Sequence, residues 1–126
     1  MDDVVTTGKL ADVTGYRPDY HLCPQYHHAI ELIGKRWTGV ILGALLYGHS
    51  RYADIRGAVP HLSDTMLGQR LRELEAEGIV TREVSARPPV RVDYRLTEKG
   101  RALEAAIGAI SAWADHWVEP HAEGDS

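Results

Sequence analysis

The stretch from Ser63 to Leu96, SDTMLGQRLRELEAEGIVTREVSARPPVRVDYRL, changes its apolar period halfway along, and that change decides the fold. In its first part Leu67, Leu71 and Leu74 stand at i, i+4 and i+7, a narrow stripe along one side of a helix. Ser63 is placed to cap that helix and Gly78 to end it. In the second part the period is two: Val80 and Val84, then Val92, Tyr94 and Leu96, set against Arg82, Arg91, Asp93 and Arg95. Arg87, Pro88 and Pro89 supply the turn, so the helix is followed at once by a hairpin.

Upstream, Pro24 suits the first position of a helix in which Tyr26, Ile30 and Ile33 recur until Gly34. Trp37, Ile41 and Leu45, with Val40 and Leu46, make a second apolar helix that ends on Gly48. A short third helix runs from Tyr52 to Ala58 and stops before Pro60. Downstream, Thr97 caps a last helix whose Leu103, Ile107, Ile110, Trp113, Ala114 and Trp117 form a broad apolar stripe. The order is mainly α with a small β-hairpin, a winged helix-turn-helix: the second helix of the turn motif reads a DNA groove and the hairpin reaches toward the backbone or minor groove. Residues 1–22 carry no sustained periodicity and read as an N-terminal extension, residues 23–117 as the domain, and residues 118–126 as a tail.

The chain has 126 residues, 44% hydrophobic and 25% charged, enough for one globular core and too short for a multidomain enzyme. A single cysteine excludes an intrachain disulfide framework. No run approaches the roughly 18 apolar residues of a membrane span, and Asp2 and Asp3 stand where a signal peptide carries basic residues, so the sequence predicts a cytoplasmic protein. The net charge of -4 hides an asymmetry: Arg51–Arg101 carries 10 of the 14 lysines and arginines against 8 of the 18 acids. A mildly basic middle between acidic ends permits a local phosphate-facing surface without demanding one.

The residues resemble those of the HxlR-type transcriptional regulators, a family of MarR-like winged-helix proteins. The resemblance is carried by Cys23-Pro24, Ile33-Gly34-Lys35-Arg36-Trp37, Ser63 with Met66-Leu67, and Gln69-Arg70-Leu71-Arg72-Glu73-Leu74-Glu75. It continues through Gly78-Ile79-Val80, Pro88-Pro89-Val90, Tyr94, Leu96-Thr97-Glu98-Lys99-Gly100 and Trp113-Ala114-Asp115, about residues 23 to 117. What it implies is a homodimeric DNA-binding regulator of bacterial type, commonly a repressor, with no catalytic role. No cofactor is expected, and Cys23, His27 and His28, with His116 and His121 on the last element, come near metal-ligand spacing but lack paired motifs, so no metal is expected either. Some members sense oxidants, quinones or other electrophiles through a cysteine just before the first helix, and Cys23 falls on that position. Others add a second cysteine near the end of the last helix; here only Trp117 and Val118 stand in that region, so no such pairing with Cys23 exists. Asp64 and Thr65 occupy positions where many relatives carry polar or basic residues.

On a helical wheel the leucine stripe leaves Thr65, Gln69 and Arg72 on the opposite face, with Arg70 flanking it. Gln pairs bidentately with adenine, Arg with guanine or phosphate, and Ser63 with the helix N-terminus offers donors to a phosphate. Arg87 and Arg91 bracket the proline pair and make the wing tip stiff and positive. Arginines that merely keep an exposed hairpin soluble explain Arg82 better than Arg87.

The stripe of Ile107, Ile110, Trp113 and Trp117 is too apolar for a lone terminal helix, which predicts a homodimer through the N- and C-terminal helices on a near-palindromic double-stranded operator. Cys23 stands at the N-cap of the helix opened by Pro24, where the helix dipole favours a reactive thiolate. A buried, inert thiol is the plainer reading, and a repressor controlled by a non-covalent small ligand or a metal, with Cys23 structural, is the alternative function. A thiol enzyme lacks a resolving cysteine and a recognisable base.

Overall fold

The computed structural model describes residues 23–120, which divide between Arg36 and Trp37 into two compact units. The extension at residues 1–22 and most of the tail lie outside the described residues. The first unit contributes helix α1, Pro24–Ile33, with proline in its first turn and Cys23 in extended backbone as its N-cap. It ends on Gly34, whose N–H returns to the Ile30 carbonyl at 2.7 Å.

The second unit begins at Trp37, the N-cap rather than the first residue of α2 (Thr38–Tyr47), with φ of 78° in the left-handed region. Helices α3 (Tyr52–Ala58) and α4 (Asp64–Ala76) follow, then an antiparallel pair, β1 (Val80–Val84) and β2 (Val92–Leu96). Ile41, Leu42 and Leu45 of α2, Ile55 of α3, Leu67, Leu71 and Leu74 of α4, and Ile79, Val80 and Tyr94 of the hairpin are buried together with Val59 and Leu62. Each such side chain contributes about 1.5–3 kcal/mol when taken out of water. Val40, expected with this group, is half exposed because it sits off the Ile41–Leu45 line.

Helix α4 is closed at both ends by short polar devices. Ser63 Oγ accepts the Met66 N–H at 3.1 Å, satisfying one of the donors that the first turn leaves without a helical partner. At the other end Gly78 takes φ of +82°, so that its N–H reaches the Glu75 carbonyl and the Ile79 N–H reaches that of Leu74, which turns the chain directly into β1.

Two expectations are corrected by the backbone. The hairpin register pairs Val80 with Leu96, Arg82 with Tyr94 and Val84 with Val92, so Arg82 shares a face with the valines instead of alternating with them. Residues 80, 82 and 84 have one parity in a period of two. Arg95 stands on the other face, where its Nε donates to Glu83 at 3.0 Å. The last helix is also broken: Thr97 caps only a single turn, α5 (Glu98–Arg101), before α6 (Glu104–Trp117) begins. The Leu103 N–H bonds the Gly100 carbonyl, three residues back, and this tighter turn separates the two.

Helix α6 packs against α2, and its apolar stripe divides accordingly. Leu103, Ile107 and Ala114 are half-buried, whereas Ile110, Trp113 and Trp117 are 57%, 59% and 67% exposed.

Candidate nucleic-acid interface

The exposed side of α4 carries Thr65, Gln69 and Arg72, and the leucine stripe fixes it there by burying the other side. Arg70 does not join them. Its guanidinium makes two bonds of 3.1 Å to Glu73, three residues on, and only 12% of its side chain is exposed. Gln69 lies beside the same carboxylate, with Nε2 donating to Glu73 Oε2 at 3.3 Å from an exposed position. Ser63 is exposed at the head of the helix; its oxygen accepts the capping bond, which leaves the hydroxyl proton for an outside acceptor.

Between α4 and the hairpin runs a groove of about 760 Å³, with Thr65, Gly68, Arg72 and Glu75 along the helix wall and Arg82, Val92 and Tyr94 along the strands. Tyr52 and Asp64 close one end. Asp64 would repel a phosphate there, but Arg56 Nε holds its Oδ1 at 2.7 Å. Tyr52 donates to the Asp64 carbonyl at 3.4 Å and lies tilted against Tyr94, ring centroids 6.5 Å apart. Burial, reinforced by the Asp64 charge, raises the pKa of this phenol above the ordinary tyrosine value, so it remains a neutral donor at any physiological pH.

The wing tip is organised by a residue that the sequence reading passed over. Ser85 exchanges backbone contact with Arg91 through its N–H, which donates to the Arg91 carbonyl at 2.9 Å. Its Oγ accepts the Arg91 N–H at 2.8 Å and lies within donating distance of the carbonyls of Arg87 (3.2 Å) and Pro89 (3.1 Å). The loop closes around this one hydroxyl and sets Arg87 and Arg91 on its exposed surface, across a cis Pro88-Pro89 bond. A serine ahead of a proline turn is the only signal in the sequence, and it does not distinguish a hub from a solvated loop residue.

The base of the wing is fastened to the end of α4. Thr97 Oγ1 donates to the Gly78 carbonyl at 2.6 Å and accepts the Gly100 N–H at 3.1 Å. Lys99 Nζ donates to the Glu77 carbonyl at 2.7 Å. On the opposite edge of β2 the Tyr94 N–H donates to the Ser50 carbonyl at 2.7 Å, and Arg51 bridges to Asp93, so the start of α3 is tied to the same strand. Helix, turn motif and wing are thereby held in one arrangement.

In the first unit Cys23 is half-buried, and its thiol donates to Gln25 Oε1 at 3.3 Å. Among the described residues no helix is long and apolar enough to cross a membrane.

Comparison with known proteins agrees with this geometry. YodB of Bacillus subtilis, an HTH-type transcriptional regulator, is 46% identical over 99 residues, which cover 79% of this chain and 88% of YodB. YvaP of the same organism, an uncharacterised HTH-type regulator, is 44% identical over 99 residues, covering 79% of this chain and 92% of YvaP. The reduced form of YodB superposes with a TM-score of 0.69 over 80% of this chain and 99% of that one, at 44% identity. Structures of diamide-treated and quinone-bound YodB also match. The redox regulator HypR in its oxidised form gives a TM-score of 0.71 at 36% identity, over 78% of this chain and all of that one. The pattern of the HxlR-like helix-turn-helix family spans residues 32–122, from the end of α1 past the end of α6. With its capped reading helix, its wing and its close relatives all pointing one way, the chain belongs to the HxlR-like helix-turn-helix family of DNA-binding transcriptional regulators.

Proposed function

We propose that the protein is a dimeric repressor whose affinity for DNA is switched by oxidation or electrophile modification of Cys23. The observation that carries this reading is the 46% identity to YodB, a regulator whose structures include reduced, diamide-treated and quinone-bound forms. Cys23 is the sole cysteine of the chain, so any thiol response passes through it. Two routes balance chemically. The thiolate adds to a ring carbon of a quinone, forming a C–S bond, and the ring becomes a hydroquinone after proton transfer. Alternatively, two Cys23 thiols of a dimer lose two electrons and two protons to a diazene such as diamide and form a disulfide.

In the proposed complex Thr65, Gln69 and Arg72 of α4 enter the major groove, Ser63 donates to a phosphate at the head of the helix, and Arg87 and Arg91 lie on the minor groove or backbone. Arg70, committed to Glu73, supports the helix instead of reading DNA. The exposed Ile110, Trp113 and Trp117, continuous with Ile107, form the dimer face, and two-fold symmetry sets the reading helices about one DNA turn, ~34 Å, apart. A thiol reaction that alters the geometry of the dimer changes that spacing.

Fluorescence anisotropy on the gene's own upstream DNA, before and after diamide or a quinone, tests the switch. The wild-type protein binds when reduced and releases after treatment, and Cys23→Ser binds equally well and ignores the reagent. A Cys23→Ser protein that still responds would refute the proposal.

A further inference from the structure

The groove between α4 and the hairpin has a feature that DNA reading in general does not require. Arg72 is folded back along its helix: a methyl group added at Gly68, one turn earlier, would stand 3.3 Å from Arg72 Nη1. Helical side chains lean toward the N-terminus, and here a residue without a side chain gives the guanidinium a place to lie, against the helix and in the groove. On the facing wall stands Arg82, which the register turns to the Tyr94 side of the hairpin. Among the described residues ion pairs engage Arg56, Arg70, Arg95 and Lys99, and leave Arg72 and Arg82 out. Asp64, at the end of the groove, is matched by Arg56. Glu75, also on the helix wall, is one carboxylate against these two guanidiniums, so the groove keeps a net positive charge, and arginines on facing walls suit one tetrahedral anion with several acceptor oxygens.

We propose that this groove seats one phosphate of the DNA backbone between Arg72 and Arg82, and that glycine at position 68 is what allows Arg72 to reach it. The proposal rests on α4 and the wing facing DNA, and it gives Arg72 a phosphate instead of a base. Gly68 is then a positioning residue, acting only through Arg72. A helix-interior glycine otherwise costs stability relative to alanine, so its placement beside the arginine has a binding rationale and no folding one.

The test is the salt dependence of binding to a mixed-sequence DNA duplex, where phosphate contacts carry the affinity. Arg72→Ala and Arg82→Ala each lower the slope of log K against log salt by about 0.9, the contribution of one phosphate. Gly68→Leu fills the seat and lowers the slope as much as Arg72→Ala does, while Gly68→Ala produces a smaller loss. Both position 68 variants raise the melting temperature, because either residue is a better helix former than glycine. In an Arg72→Ala background Gly68→Leu has no further effect on the slope. A Gly68→Leu protein with a higher melting temperature and an unchanged slope would overturn the seat, as would an unchanged slope for Arg72→Ala. A wild-type protein that binds no duplex even at low salt would overturn the DNA-facing reading beneath it, a result separable from the first two.

Discussion

Single atoms decide several of the arrangements above, and Gly100 is the sharpest case. It is buried under the hairpin, and a Cβ there would land on the Ile79 carbonyl oxygen and approach Leu96 Cδ2 at 2.9 Å. The obstacle is backbone, which cannot swing aside as a side-chain tip can. Gly100→Ala is expected to destabilise the protein by about 1–3 kcal/mol, the range for overpacking a filled site, seen as a lower midpoint in urea with little change in slope. An unchanged midpoint would mean that α5 moves off the strand at little cost. Much at this scale was legible in advance: Ser63, Thr97, Gly48 and Gly78 announce their capping roles by type and position. Arg70 was not, although Glu73 stands three residues on, because that spacing is equally compatible with two solvated side chains. Only the packing around the pair shows that the guanidinium is covered.

At the scale of elements, the helices of the turn motif follow directly from the spacing of Ile41, Leu45, Leu67, Leu71 and Leu74, since each had one apolar side to bury. The separation of α5 from α6 left no trace in the sequence. Ala102 and Leu103 are good helix formers, and the break arises from the docking of Gly100 on Ile79, a contact between residues far apart in the chain. The Arg56–Asp64 pair at the end of the groove was hidden for the same reason. The wing tip offers a prediction at this level. Ser85→Ala removes the hydroxyl that gathers the tip, so the Arg91 amide should exchange with solvent faster and affinity for DNA should fall. Overall stability should shift by less than about 1 kcal/mol, as expected for a surface loop. Amide exchange followed by NMR, with anisotropy on the same sample, checks both; unchanged exchange at Arg91 would show that the prolines alone hold the loop.

For the molecule as a whole, the exposed Ile110, Trp113 and Trp117 present more apolar area on one helix than a lone subunit readily leaves in water. Trp113→Asp should yield a monomer by sedimentation at micromolar concentration, with its far-ultraviolet circular dichroism retained because the residue is not part of the core. Binding to a two-fold symmetric site should weaken by far more than binding to half of it. A variant that still sediments as a dimer would move the interface elsewhere. The lashing of Thr97 and Lys99 to Gly78 and Glu77 has a consequence for regulation. Because reading helix and wing are clamped as one caliper, a signal has no soft joint between them on which to act, and under the proposed switch the intrinsic constant for a single half-operator should be the same before and after thiol modification. What a signal can alter is the linkage between the two halves: whether engaging one caliper brings the second into register or leaves it out of step.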